Sequence, residues 1–310
     1  MNRLLRPAPL IVLLALALAV AATAQRRYRG YRGGDYTEGG VFVGPEVRTA
    51  REIASHSTDT PVWTNSPGFN HDTFTFARIR YSDNPHGSSG GTWITDFPDS
   101  DLNLSLRLQQ MTSIQVNPSG RFLRLRNKDL YDYPWIYIVE PGRLLFEEEE
   151  VGILRHYLLN GGFLMADDFW GEIEWANFHS QMKRVFPERE FVELPMEHPV
   201  FHSVFDLNVP KNMLQTPNVQ QAIWSLNPKS SQYGVTWEQN HYDTTPEGAK
   251  EMHVRAMLDD KGRIMVIATH NCDNGDGWER EGEYDEFFHA FSEKRAFPLG
   301  INIIFYAMTH

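Results

Sequence analysis

From about residue 41 the chain alternates short apolar runs with stretches of helical period. Phe74 to Tyr81 alternates apolar and polar side chains, the period of a half-buried strand. Asp99 to Thr112 carries two periods. Leu102, Leu104, Leu106 and Leu108 step by two, whereas Leu104, Leu108 and Met111 share one helical face. The aspartates ahead of them suit a helix N-terminus, so a helix is expected. Ile114 to Val116 reads as a short second strand. Trp135 to Val139 is an apolar run stopped by Glu140-Pro141-Gly142, a strand followed by a turn. Glu147 to Glu150 then opens a helix, its acids meeting the positive end of the helix dipole. Val151, Leu154 and Leu158 make the buried stripe of that helix, and Gly161 falls where a left-handed C-cap belongs. Phe163 to Ala166 is the next strand, and Glu172 to Phe186 the next helix, ended by Pro187.

Met252 to Leu258 and Arg263 to His270 read as a hairpin joined at Asp259-Asp260-Lys261-Gly262. Residues 225–250 are polar, contain Asn-Pro and Thr-Pro steps, and read as an insertion. Pro298 to His310 places Ile301, Ile304, Phe305 and Met308 at helical spacing. Strands alternating with helices define an α/β chain. The expected architecture is three-layer and flavodoxin-like, a mainly parallel sheet with helices on both faces, plus the C-terminal hairpin or insertion. One domain over residues 41–310 accounts for it.

The pattern ahead of residue 41 is of another kind. Arg3 and Arg6 precede an apolar run from Leu10 to Ala22, and Ala22-Thr23-Ala24 offers small residues for cleavage before Gln25. That run is shorter than the roughly 17–25 residues a spanning helix needs. Residues 1–24 are therefore expected to be a cleaved signal peptide, leaving a periplasmic or secreted protein without a transmembrane span. Residues 25–40 are rich in Arg, Gly and Tyr and read as a flexible linker. A sharper reading makes Arg26, Arg27, Arg29 and Arg32 a tether for an anionic envelope polymer. Losing the leader with Arg3 and Arg6 takes the formal charge from −11 to −13, which argues against a nucleic-acid partner. The single cysteine, Cys272, cannot form an internal disulfide, so the fold must rest on its core.

Two acidic groups stand out against this frame. Asp167 and Asp168, with Trp170, follow the strand at Phe163. Asn271, Asp273, Asp276 and Glu279, with Trp278, follow the strand ending at His270. If both strands are parallel members of one sheet, both groups emerge at its carboxyl edge, where open α/β sheets bind ligands. Clustered oxygens at Asp168, Asp273, Asp276 and Glu279 suit a hard divalent cation, calcium or magnesium. Asp167 or Asp168 would serve acid–base chemistry. Trp170, Trp278, Asn271, Asp273 and His198 are the candidate ligand contacts, the tryptophans as a sugar-stacking platform.

Plainer roles compete at each position. Adjacent acids point to different sides of an extended chain, so one of Asp167 and Asp168 is expected to cap the next helix. Asp273-Asn274-Gly275-Asp276-Gly277 is also an ordinary tight-turn composition, and the calcium-loop pattern fails there because Cys272 falls on a ligand position. Cys272 lacks the small neighbours of a nucleophile elbow, and nearby carboxylates disfavour its thiolate.

At these residues a resemblance becomes specific. The series Phe74-Thr75-Phe76-Ala77-Arg78, Trp93-Ile94-Thr95-Asp96-Phe97-Pro98, Tyr133-Pro134-Trp135-Ile136-Tyr137, Gly161 to Gly171, Glu197-His198-Pro199-Val200-Phe201 and Gly300 to His310 resembles the bacterial "domain of unknown function 4159" family. The resemblance implies a fold and no particular reaction. The helix, Gly-Gly, strand and elbow order, with the His-Pro step, is more distantly similar to the class I glutamine amidotransferase-like fold, including its trehalose-utilisation-type branch. That likeness implies a cysteine nucleophile after the strand. Asp167 and Asp168 take its place here, which excludes glutamine hydrolysis through such a cysteine. Three functions follow in order of expectation. The first is a ligand-binding or accessory domain of the envelope, taking a glycan or peptide in an acidic, aromatic pocket. The second is a hydrolase or related enzyme using Asp167 or Asp168 as a base, with or without a divalent cation. The third is a scaffold for a protein partner.

Overall fold

The computed structural model describes residues 35–57, 59–66, 68, 73–83, 93–238 and 246–310. The leader and residues 25–34 lie outside the described residues. Strands β1 (Ala77–Ile79), β2 (Ser82–Asp83), β3 (Arg121–Leu123), β4 (Trp135–Val139), β5 (Leu144–Leu145), β6 (Phe163–Asp167), β7 (Val192–Glu193), β8 (His253–Leu258) and β9 (Ile264–His270) are interleaved with helices. The helices used below are α1 (Asp99–Met111), α2 (Glu148–Leu159), α3 (Gly171–Val185), α4 (Val219–Leu226), α5 (Asn274–Glu279) and α6 (Phe297–Thr309). A π-helical stretch, Phe288–Ala296, leads into α6. No helix among the described residues is long and apolar enough to cross a membrane.

The main sheet has seven strands in the order β3-β1-β4-β6-β9-β8-β7. Neighbours from β3 to β9 run parallel, and β8 and β7 add an antiparallel edge. Taken in chain order, the five parallel strands follow the flavodoxin-like 2-1-3-4-5 order, whose switch point lies between β1 and β4. A right-handed crossover through a helix joins such strands, which puts helices on both faces. Strand residues divide by the period of two. Ile136, Ile138, Leu164 and Ala166 pack on one side with Leu154 and Leu158 of α2 and Phe178 and Met182 of α3. Trp135, Tyr137, Val139 and Met165 pack on the other with Leu104 and Leu108 of α1 and Ile301 and Ile304 of α6. The three-layer α/β expectation is therefore met.

Four local expectations are corrected. The alternation at 74–81 does not mark a solvent face, because Ala77, Arg78 and Ile79 are all buried. Arg78 is fully enclosed, donating to Asp101 at 2.5 Å and to the carbonyls of Trp93 and Thr95. Ile114 to Val116 is not a sheet strand; Val116 makes one isolated bridge to Phe74, and β3 takes the outer place beside β1. The Asp273–Gly277 stretch is not a tight turn but the cap and first residues of α5. Finally, the fold starts earlier than residue 41. Asp35 binds Arg80 and the Trp93 indole, and Glu38 binds Arg280 at 2.9 Å, so Asp35 and Glu38 of the expected linker are tied to the fold.

Candidate functional site

The carboxyl edge of the parallel strands is built by an unusual backbone. Asp96, Glu140, Asp168 and Asn271 have φ of 61°, 46°, 55° and 60°. Glu140, Asp168 and Asn271 each stand directly after a strand, β4, β6 and β9 respectively. Left-handed φ is uncommon outside glycine, although Asp and Asn tolerate it best, and each such residue costs about 1 kcal/mol or more. The turn reverses the chain at the strand end and sets the polar side chain over the edge of the sheet. The loops after β6 and β9 then interlock. The Asp168 amide donates to the Cys272 carbonyl at 3.1 Å, and the Asn271 amide to the Phe169 carbonyl at 2.9 Å. Asn271 also accepts from the Gly171 amide and donates to the carbonyls of Gly248 and Glu251. It therefore acts as a clamp between loops.

Asp167 and Asp168 separate as adjacent strand residues should. Asp167 is fully buried and accepts from the Thr269 hydroxyl, the Tyr137 hydroxyl (3.2 Å), the Asn274 amide (3.0 Å) and side chain (2.7 Å), and the Gly275 amide (3.1 Å). Its carboxylate thus anchors the N-terminus of α5, a partner far along the chain, rather than the helix that follows it. Burial raises its pKa to about 6, against the pull of Thr269, Asn274 and Tyr137. Asp168 instead accepts from the Trp170 indole at 3.0 Å and lines a cavity.

That cavity, about 320 Å³, is bounded by Glu38, Asp96, Glu140, Asp168, Glu238, Asp273 and Asp276, with Thr95, Asn218, Val219, Gln220 and Arg280. One oxygen from each of Asp96, Asp168 and Asp273 lies within 4.8 Å of the others. Asp96 approaches so closely only because residue 275 is glycine: a Cβ there would meet its Oδ2 at 2.0 Å. Asp96 is 1% exposed, and Oδ2 has no hydrogen-bond partner. Burial, then the charges of Glu279, Asp276, Asp168 and Glu38, push the Asp96 carboxyl well above its usual range. Asp273 is raised likewise, by burial and by Asp168, Asp276 and Asp96. It also N-caps α5, accepting from the Asp276 amide at 2.7 Å.

A second group, Asp96, Asp276 and Glu279, shares Asp96 with the first. Here protein cations are at hand. Arg280 sits 2.7 Å from Glu279 and 3.3 Å from Asp276, and His56 bridges Glu279 at 2.7 Å and Asp99 at 3.1 Å. Hydrogen bonds to Asp99 and Glu279 raise His56 to about 10, which keeps it an imidazolium at neutral pH. The edge therefore divides into a half neutralised by Arg280 and His56 and a half, Asp96-Asp168-Asp273, in which the charges that act most on Asp96 and Asp273 among the described residues are those of neighbouring acids.

Of the residues singled out in the sequence, Asp168, Asp273 and Asp276 line the cavity, and Glu279 stands behind it in its ion pairs. Trp170 and Trp278 are fully buried, with their indole N–H groups on Asp168 and on the Ala296 carbonyl. Neither offers a face for sugar stacking; both position the rim. His198 is not among the lining residues. Its ring packs 5.5 Å from Tyr306 of α6 and accepts from the Val200 amide. Cys272 is buried, and burial with the charge of Asp167 pushes its thiol up, which disfavours the reactive thiolate. Sequence reasoning missed Asp96, Glu38, Glu140, Glu238 and Arg280. For Asp96 the available signal was an acid placed between the first strand and the α1 helix, where a β1–α loop reaches the switch point.

Fold and edge together define a flavodoxin-like α/β protein with a carboxylate-lined cavity beside its switch point. The chain belongs to the family described as "Domain of unknown function (DUF4159)", whose model matches residues 75–308. No curated protein matches it.

Proposed function

We propose that this chain is a cation-dependent binding domain of the cell envelope, in which Asp96, Asp168 and Asp273 hold calcium or magnesium and the bound ion captures an oxygen-rich glycan or peptide. One observation carries the reading: the buried Asp96 carboxylate has an oxygen without a hydrogen-bond partner, and the group lies with an oxygen within 4.8 Å of an oxygen of each of two further carboxylates, Asp168 and Asp273. At an effective dielectric of 20, two unit charges about 4 Å apart repel by about 4 kcal/mol. Three ionised carboxylates at that spacing would cost roughly 10 kcal/mol, which is comparable with the whole stability of a domain. Protons or a cation must offset this, and a hard cation with oxygen ligands does so while leaving coordination positions for a ligand. Among the described residues no tryptophan lines the cavity, and Trp170 and Trp278 are buried, which shifts recognition from stacking to oxygen coordination. Export rests on the N-terminal pattern of basic residues, apolar run and small residues.

Thermal unfolding of chelator-treated protein provides the test. Calcium or magnesium at 100 times its Kd stabilises by about 2.7 kcal/mol, raising the melting temperature by on the order of 5 °C for a chain of this size. Asp168→Asn should lose most of the rise. A wild-type melting temperature unmoved by calcium, magnesium or manganese would overturn the proposal.

A further inference from the structure

A second charged cavity lies off the carboxyl ends of β1 and β3, on the other side of β1 from the cavity above. It measures about 590 Å³, and its walls include Arg48, Arg80, Arg121, Arg124 and Lys128, with Asp129 as the acid among them. Arg80 stands one residue beyond β1, and Arg124 one residue beyond β3. In a chain with 40 acidic and 29 basic side chains, five cations around one acid reverse the prevailing charge.

The pairing within this cavity also departs from that elsewhere. Arginines such as Arg155, Arg184 and Arg263 each hold a carboxylate, Glu188, Glu148 and Asp259. In the cavity Arg121 is held by Asp129 at 2.6 Å, and Arg80 by Asp35. The Arg80 Nε–H is buried without a hydrogen-bond partner. Arg48, Arg124 and Lys128 are exposed, and among the described residues their side chains make no ion pair or hydrogen bond. Three uncompensated cations therefore face a space far larger than one water, above a fixed pair of arginines. Guanidinium groups match the oxygens of phosphate bidentately, and an ammonium adds an adaptable point charge.

We propose that this cavity is a binding site for a multivalent phosphate group, with Arg48, Arg124 and Lys128 as its direct contacts. The volume fits a diphosphate or a sugar phosphate better than a single small ion. The site is separate from the carboxylate-lined cavity and does not depend on a cation bound there.

Titration calorimetry with inorganic pyrophosphate on chelator-treated wild-type protein at constant ionic strength tests the site. Saturable one-to-one binding is expected, with phosphate and sulfate weaker. Arg124→Gln and Lys128→Gln should each weaken pyrophosphate binding by about tenfold or more, the usual scale for a hydrogen bond to a charged group. Both positions are exposed, so folding should survive, and unchanged circular dichroism checks this. Asp129→Asn should not weaken binding. Heat that sodium chloride abolishes in the same way for wild type and variants, or equal affinity in Arg124→Gln and wild type, would show only general ionic attraction and overturn the site.

Discussion

Asp96→Asn is expected to stabilise the cation-free protein and to abolish its response to calcium or magnesium. The amide has the same shape and tolerates the left-handed backbone at this position, where φ is 61°. It removes the charge that both three-carboxylate groups share. Because the Asp96 carboxyl already sits well above its usual range, part of the repulsion in the wild type is relieved by a proton. The net gain is therefore a fraction of the unscreened figure, about 1–3 kcal/mol, or roughly 2–6 °C in melting temperature. Cation affinity should fall by more than the 10–100-fold typical of losing an outer-shell partner. Scanning calorimetry with and without chelator reads both effects. A variant that is less stable without cation, yet still stabilised by it, would make Asp96 a structural residue.

The opposite outcome is expected at the neighbouring strand. Asp167→Ala should destabilise the fold by about 4 kcal/mol, because it strands several buried donors and opens a cavity. The amides of Asn274 and Gly275 would lose their acceptor, as would the hydroxyls of Thr269 and Tyr137. Those groups tie β4, β6 and β9 to the start of α5, so the loss falls on the centre of the sheet. Asp167→Asn keeps one acceptor oxygen and should cost about half as much. Urea unfolding of the three proteins checks the order. An unfolding free energy for Asp167→Ala within about 1 kcal/mol of wild type would remove Asp167 from this structural role and return it to the list of reactive groups.

The fold was legible where one period dominated. Trp135–Val139 and Phe163–Ala166 are apolar runs, as strands buried on both faces must be, and β8 and β9 flank a turn of fitting composition. Periodicity could not tell a solvent-facing polar residue from a buried ion pair, which is why Arg78 looked like an outer position. Asp101, its partner, is remote in sequence. Arg121–Leu123 is too short and polar to register alone; it is a strand because β1 offers a free edge. In the site, the meeting of Asp168 with Asp273 followed from two strands that are parallel neighbours. Asp96 did not follow, because its contribution depends on a loop from β1 and on the missing side chain at Gly275. Of the two tryptophans, Trp170 does meet an acid, Asp168, whereas Trp278 bonds to the Ala296 carbonyl, and burial makes both supports rather than contacts.

In the proposed site the carboxylates of Asp96, Asp168 and Asp273 share one cation. Crystals soaked in manganese, a stand-in for magnesium with its own anomalous signal, address it directly. A single strong peak about 2.0–2.6 Å from an oxygen of each of the three side chains is the predicted result. No peak at that position, or one held by Asp276 and Glu279 with Arg280 displaced, would contradict it.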